Sequence, residues 1–377
     1  MRIAHVTDFY LPRLGGIETH VHDLAVRQQA AGHQVEVITT SAALTGDADR
    51  ELPVHRLTDR SWLPAELRPS VLRAGRALLR ERAYDVVHVH AGPVSPLAFT
   101  AAALATRLPT VVTAHSLLSY VEPAFHMLDV GVGWSRWPAV WTAVSEVAAA
   151  PLRRLVAPVP VHVLHNGIDA ARWRVVPRWS DPREVLVVAV MRLAARKRPM
   201  HLLRILRGAR RTLPASIRLR AVIAGDGPLR PAMERYLRRH DMTGWVHLPG
   251  RLSRPQIKEL FAHSDVFVAP AILESFGIAA LEARCAGLPV VARVEGGIGE
   301  FIADGREGLL VDSDAAMAAA IVTLAGDART RTRIAAHNRL TAPPVAWPDV
   351  LARTFQLYAL AAERLPLSLP RHAGSLR

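Results

Sequence analysis

Short, almost wholly apolar runs recur along this chain, and helical patterns separate most of them. Residues 2–7, 35–39, 54–57, 85–90, 110–115, 141–145 and 161–164 form one series. Residues 185–190, 219–224, 246–248, 266–269, 289–292 and 308–311 form a second. A strand without polar alternation is buried on both faces, which is the environment of a parallel sheet covered by helices. Residues 170–183 interrupt the rhythm. They hold Pro177 and Pro182, have no apolar period, and predict a linker. The fold class that follows is α/β: two doubly wound, Rossmann-like domains, residues 1–169 and 184–344, facing each other across a cleft. A last helix is expected over 345–364, crossing back to the first domain. The Pro-, Ser- and Gly-containing tail 365–377 is expected to be disordered.

Sheets of this kind bind ligands outside the carboxyl ends of their strands. After the first strand, Gly15-Gly16 opens a helix reaching about Ala31, with Glu18 and His20 on its first turns. The spacing is not the dinucleotide fingerprint. The glycines either let a ligand approach the backbone or make an ordinary tight turn. His115 ends the run 110–115 on the ligand side of the sheet, which favours a functional role over a structural one.

In the second series, Arg192, Lys197 and Arg198 follow 185–190, and Gly225-Asp226-Gly227 follows 219–224. Glu274-Ser275-Phe276-Gly277 follows 266–269 and leads into a helix over 278–286 that carries Glu282. Unpaired N–H groups at a helix start, with two fixed cations, suit a diphosphate. Acids beside an anion repel it unless each binds something neutral, and sugar hydroxyls meet that need. Glu282 suits a ribose diol, and Glu274 suits hydroxyls of a transferred sugar. A leaving diphosphate gains charge as its bond breaks, so the same cations favour the transition state. The plain alternative is a helix start with common first-turn acids and solvated loop cations.

The 47 Lys+Arg against 33 Asp+Glu give a net charge of +14, which admits nucleic acid or an anionic membrane as partner. Scattered arginines and a 6% aromatic content argue against nucleic acid. Lys197 and Lys258 are the only lysines, in an Ala-, Arg-, Pro- and Val-rich chain that reads as the product of a high-GC, bacterial genome. A lysine that persists in such a composition is a candidate for required chemistry, which singles out Lys197. Residues 60–82 set Trp62, Leu63, Leu67, Val71, Leu72, Leu78 and Leu79 against six arginines. That stretch fits an anionic membrane surface or a solvated helix with its apolar face in the core. Cys285 is the sole cysteine, so no internal disulfide forms, and a reducing cytosol is implied. No apolar run reaches the ~18–20 residues of a membrane span, and His5 and Asp8 break the pattern of a signal peptide. The expectation is a cytoplasmic protein, soluble or peripheral to a membrane. Neither metal-ligand spacing nor a DxD pattern is present, so independence of metal and of any cofactor is expected.

These motifs resemble those of the retaining glycosyltransferase family 4, with its GT-B fold. The resemblance rests on GGIETH at 15–20, TAH at 113–115, NGID at 166–169, RLAARK at 192–197, AGDGP at 224–228, and the E-x7-E pattern from Glu274 to Glu282, and it covers roughly 1–360. It implies a metal-independent enzyme that moves a hexose-type sugar from a UDP- or GDP-linked donor to a hydroxyl acceptor, with a lipid-linked acceptor among the options. Arg192 and Lys197 would bind the diphosphate, aided by backbone amides at Gly16 and at Ser275, Phe276 and Gly277, with Gly225 and Asp226 in the donor site. Glu282 would hold the ribose, Glu274 the sugar, and His115 would lie near the reacting carbon. The turn GGIGE at 296–300 departs from the family, which commonly has proline before the glutamate. Glu274 has no evident paired acid across the sugar, which favours same-face displacement over a covalent intermediate. Other readings stay open at this point: a nucleotide-sugar isomerase or epimerase on the same fold, a basic nucleic-acid-binding protein, and a degenerate binding module.

Overall fold

A computed structural model describes residues 1–13, 15–42, 51–57, 68–92, 94–119, 122–178, 181 and 183–365. The chain forms two units. The first comprises Met1–Val144, Ala149–Leu164 and the residues from Leu351 on; the second comprises Ser145–Ala148 and His165–Val350.

The first unit holds seven strands: β1 Arg2–Thr7, β2 Gln34–Thr39, β3 Val54–Arg56, β4 Val86–Ala91, β5 Thr110–Ala114, β6 Val140–Ala143 and β7 Val161–Val163. All pair in parallel, in the order β3-β2-β1-β4-β5-β6-β7. The second unit holds β8 Glu184–Val190, β9 Arg218–Ala224, β10 Val246–Gly250, β11 Val266–Ala269, β12 Val290–Arg293 and β13 Gly308–Val311. These too are parallel, in the order β10-β9-β8-β11-β12-β13. Strand order reverses between β1 and β4 and again between β8 and β11. Loops leaving those pairs diverge to opposite faces and open a crevice at the carboxyl ends.

Burial follows the apolar runs. Val185, Val187 and Ala189 of β8 are covered by Leu202, Leu203, Leu206 and Ala209 of the helix Pro199–Thr212, and Met317, Ile321 and Leu324 of the helix Asp314–Gly326 join the same core. Each of these leucines removes enough surface from water to contribute about 1.5–3 kcal/mol. In the first unit, helix Gly16–Ala30 packs Val21, Leu24 and Ala25 at helical spacing. The helix Trp347–Glu363 supplies Leu357, Tyr358 and Ala361 to the interior from its first-unit part.

Three stretches differ from the sequence reading. The expected linker 170–183 begins with a helical turn, Ala170–Trp173, capped by Asp169, and Trp173 is buried against Phe261. A single aromatic without a period around it leaves no sequence signal of that packing. Helix Pro69–Glu81 turns Val71, Gly75 and Leu79 inward and leaves Arg73, Arg76 and Arg80 exposed. Its apolar face is therefore occupied by the protein itself. Trp62, Leu63 and Leu67 lie outside the described residues, as does the tail from 366 on. The helix Glu122–Val132 buries none of its residues, and Met127 and Val130 are 79% and 91% exposed.

Candidate active site

In the second unit the carboxyl end of β8 runs into the loop Met191–Arg198, and that of β11 into Pro270–Gly277. The two loops bring Lys197 Nζ to 2.5 Å from Glu274 Oε2. Arg198 fastens the loops together. Its guanidinium forks onto Asp314 at 2.8 and 2.9 Å and donates to the Pro270 carbonyl at 3.1 Å. Arg198 has φ 56°, a left-handed conformation that costs a non-glycine residue roughly 1–2 kcal/mol, and the fork offsets that cost. Sequence spacing places Arg198 in the loop but does not distinguish this structural arginine from Arg192. Arg192 is exposed and makes no ion pair among the described residues, so its charge faces solvent.

Gly225 and Gly227 act on this loop from beneath. Gly225 has φ 135°, and a Cβ there would lie 1.8 Å from the Met191 carbonyl oxygen. Leu193 N–H donates to Asp226 O at 2.9 Å, and Met191 N–H to Ala224 O at 3.0 Å. The side chain of Asp226 accepts from the Gly227 N–H at 2.8 Å. Gly225 and Asp226 thus shape the loop that carries Arg192.

The Glu274–Gly277 turn is clamped against the second glycine-rich turn. Gly297 N–H donates to Glu274 O at 2.9 Å, and a Cβ on Gly297 would lie 2.3 Å from Ser275 O. Ser145 Oγ donates to that Ser275 carbonyl at 2.6 Å. The Phe276 ring is buried between His165 and Phe301, with centroids at 5.8 and 5.3 Å. Gly277, at φ 90°, precedes the helix Ile278–Cys285, on which Glu282 is buried. Phe276 thus anchors the turn with its side chain, and what remains for a ligand is its backbone. Cys285 is buried as a core residue, and burial pushes its thiol up to about 12.

In the first unit, Gly16 is the first residue of its helix, after Gly15. Glu18 folds back over Gly15 and pairs with Arg13 at 3.1 Å. His115 follows β5 and is buried, with its ring 5.6 Å from that of His20. Behind it lies a group that no spacing across the sequence reveals: His5, His88 and His90. Parallel register sets His5 beside His88 and Thr7 beside His90, and the ring nitrogens of the trio come within 4.8 Å of one another. Each ring already has protein partners. His5 bonds Gln28 at 2.7 Å and His90 at 2.9 Å; His90 bonds His115 at 3.0 Å; His88 bonds Tyr358 at 2.9 Å and Thr113 at 2.7 Å. The one sequence signal is the alternating HVH of 88–90, which puts both rings on one face of a strand. Burial drives His5 down to about 4 and His20 down to about 3, the latter also repelled by His5 and Arg27. Burial, then repulsion from neighbouring histidines, holds His88, His90 and His115 well below the ordinary range. The cluster is neutral at pH 7.

Two family models cover these units: Glycosyltransferase Family 4 matches residues 14–172, and Glycosyl transferases group 1 matches 173–341. The chain is 30% identical to a glycogen synthase of Mycobacterium tuberculosis, over 97% of this chain and 95% of that protein. It is 25% identical to a phosphatidylinositol N-acetylglucosaminyltransferase of Arabidopsis thaliana, over 95% and 81%. The sucrose-phosphate synthase structure from Thermosynechococcus elongatus shares the fold, with a TM-score of 0.76, 20% identity, and coverage of 95% and 98%. The two parallel sheets, the Lys197–Glu274 site and these matches lead to one conclusion: the chain belongs to the group 1 glycosyltransferases and has the GT-B fold.

Proposed function

We propose that the protein moves a hexose-type sugar from a UDP- or GDP-linked donor to a hydroxyl acceptor, with retention of configuration and without a metal. The observation that carries this reading is the Lys197–Glu274 pair at the β8/β11 reversal, with the exposed Arg192 on the same loop. Arg192 and Lys197 take the diphosphate, together with backbone N–H groups from Ser275 to Gly277 and at Gly16. Glu282 takes the ribose and Glu274 the sugar. His115 meets the transferred sugar. As the bond to the leaving phosphate breaks, charge builds on oxygens that the two cations face. The sugar passes through an oxocarbenium-like state, and the leaving phosphate accepts the acceptor's proton on the same face. The two fixed cations do the work that a divalent ion does elsewhere.

A lipid-linked acceptor is the reading favoured by the exposed apolar residues of helix Glu122–Val132, with the arginines of helix Pro69–Glu81 facing anionic headgroups. Among the described residues no helix is long and apolar enough to cross a membrane. The relative named for phosphatidylinositol supports the same reading.

The test is a calorimetric panel of UDP, GDP, ADP and their sugars in metal-chelated buffer, on wild type and Lys197→Ala. Saturable binding of one nucleotide by wild type, lost in the variant, is expected. Binding by none, or equal binding by both, refutes the donor assignment. Recovery of an epimerised nucleotide sugar without transfer favours the isomerase.

A further inference from the structure

The buried histidines belong to one unbroken run of hydrogen bonds. It passes from His115 Nε2 to His90 Nδ1 at 3.0 Å, from His90 Nε2 to His5 Nδ1 at 2.9 Å, and from His5 Nε2 to Gln28 Oε1 at 2.7 Å. Gln28 Nε2 reaches Tyr358 Oη at 2.9 Å, which reaches His88 Nδ1 at 2.9 Å. His88 Nε2 reaches Thr113 Oγ1 at 2.7 Å, Thr113 reaches Thr142 Oγ1 at 2.6 Å, and Thr142 donates to the Val112 carbonyl at 3.1 Å.

Each contact holds one proton, and the last acceptor is a backbone carbonyl, which has none to give. The end of the run therefore sets the direction of every other bond. Thr142 gives its proton to Val112 and so accepts from Thr113. Thr113 then accepts from His88 Nε2, which leaves His88 Nδ1 to accept from Tyr358. Tyr358 accepts from the Gln28 amide, whose oxygen accepts from His5 Nε2. His5 Nδ1 accepts from His90 Nε2, and His90 Nδ1 accepts from His115 Nε2.

We propose that this run is a directed hydrogen-bond wire that holds His115 as its Nε2–H tautomer, so that Nδ1 offers a lone pair and selects a hydrogen-bond donor. A hydroxyl fits that nitrogen; a carboxylate or phosphate oxygen, itself an acceptor, does not. Gln28, His5, His90, Tyr358 and Thr142 are then positioning residues, and helix Trp347–Glu363 acts on His115 through Tyr358. That the hydroxyl belongs to a sugar rests on the transferase reading; the tautomer itself does not.

The experiment is two-dimensional NMR of the ring nitrogens in full-length protein labelled with 15N-histidine at pH 7.5. The His115 signals are identified by their loss in His115→Gln. Wild type is expected to show His115 with Nε2 protonated and Nδ1 unprotonated. Tyr358→Phe and Thr142→Val cut the wire at two places away from His115, and each is expected to turn its signal into a mixture of tautomers. Thr142→Ser restores the hydroxyl and is expected to restore the single form. Thermal melting confirms that each variant is folded, and Thr142→Val, nearly isosteric, carries the test if Tyr358→Phe does not fold. A protonated Nδ1 in wild type, or an unchanged Nε2–H signal in both folded variants, overturns the proposal. The expected tautomers in a protein that binds no nucleotide sugar support the wire and refute only the sugar as its object.

Discussion

The Lys197 ammonium lies 2.5 Å from Glu274 Oε2, and the two side chains stand on loops leaving neighbouring strands at the point where strand order reverses. Both are largely withdrawn from water, with side-chain exposures of 25% and 13%. The acid holds the cation in place while the site waits for its anion. A diphosphate that reaches Lys197 gains a charged hydrogen bond, of the order of 1.5–3 kcal/mol. Lys197→Ala is therefore expected to weaken nucleotide binding by about tenfold to a hundredfold, read by calorimetry. Lys197→Arg, with a planar fork and a longer reach, is expected to restore only part of that loss. An affinity equal to wild type in Lys197→Ala would remove the lysine from the site.

Glu282 sits on the buried side of helix Ile278–Cys285, a full turn and more beyond Gly277. Its proposed partner, the ribose, takes no part in bond breaking, so its contribution is the same in ground and transition states. Glu282→Gln is expected to raise the donor KM roughly tenfold with kcat nearly unchanged. Steady-state kinetics with the donor identified by calorimetry gives the answer; a fall in kcat at constant KM would place Glu282 at the reacting centre instead.

Arg198 does its work through its fork onto Asp314 and its bond to the Pro270 carbonyl. Lysine keeps the charge but offers a point donor in place of the fork. Arg198→Lys is expected to destabilise by about 1–3 kcal/mol and to loosen the Lys197 and Glu274 loops together. Chemical unfolding would show a lower midpoint, and nucleotide affinity would fall although Arg198 touches no ligand. Unchanged affinity in a destabilised variant would confine Arg198 to the fold.

The buried histidines make the protein sensitive to acid. His5 titrates near 4 when folded and near 6.5 in an unfolded chain, and His20, His88, His90 and His115 are likewise lowered by burial. A lowered folded value means that the unfolded chain takes up protons first as pH falls. Stability is then complete above about 6.5 and declines below it, by about 1.4 kcal/mol per pH unit for each such histidine. Melting temperature is expected to drop steeply from pH 6.5 to pH 4.5. Burial raises the carboxylates of Glu36, Glu307 and Asp314, but their hydrogen-bond and cationic partners outweigh it and lower them, so their loss comes at more acid pH. A melting temperature that is flat from pH 7.5 to 5 would show that the cluster is not buried neutral.

Much of the fold is legible because apolar runs bounded by turns have few alternatives. The run 266–269, the turn 274–277 and the helix after it are readable from pattern alone, and so is the restart at 185–190. Lys197 is conspicuous because lysine is so scarce. What cannot be read are relations set by register. His5 and His88 are far apart in the chain and become neighbours through the pairing of β1 with β4. Tyr358 joins them from the far end of the chain. The helix Asp314–Gly326 is nearly uniformly small and apolar, so no face stands out before its packing partner is known. Arg198 and Arg192 are chemically identical in the sequence, and only the position of Asp314 separates a structural role from an exposed one.

Two glycines make a matched pair. Gly225 has φ 135°, and an added methyl group would stand 1.8 Å from the Met191 carbonyl oxygen. Neither the rigid carbonyl nor the backbone conformation can yield without moving the loop that carries Arg192 and Lys197. Gly225→Ala is expected to cost more than about 3 kcal/mol and to abolish nucleotide binding in whatever protein still folds. Gly208 lies exposed in the helix Pro199–Thr212, and a Cβ there would meet nothing within 4 Å. Gly208→Ala is expected to stabilise by about 0.5–1 kcal/mol, because alanine loses less backbone freedom on entering a helix. Denaturant midpoints measured side by side decide the matter. If Gly225→Ala were tolerated as well as Gly208→Ala, the close contact of the glycine turn with Met191 would be wrong, and with it the account of how the Arg192 loop is held.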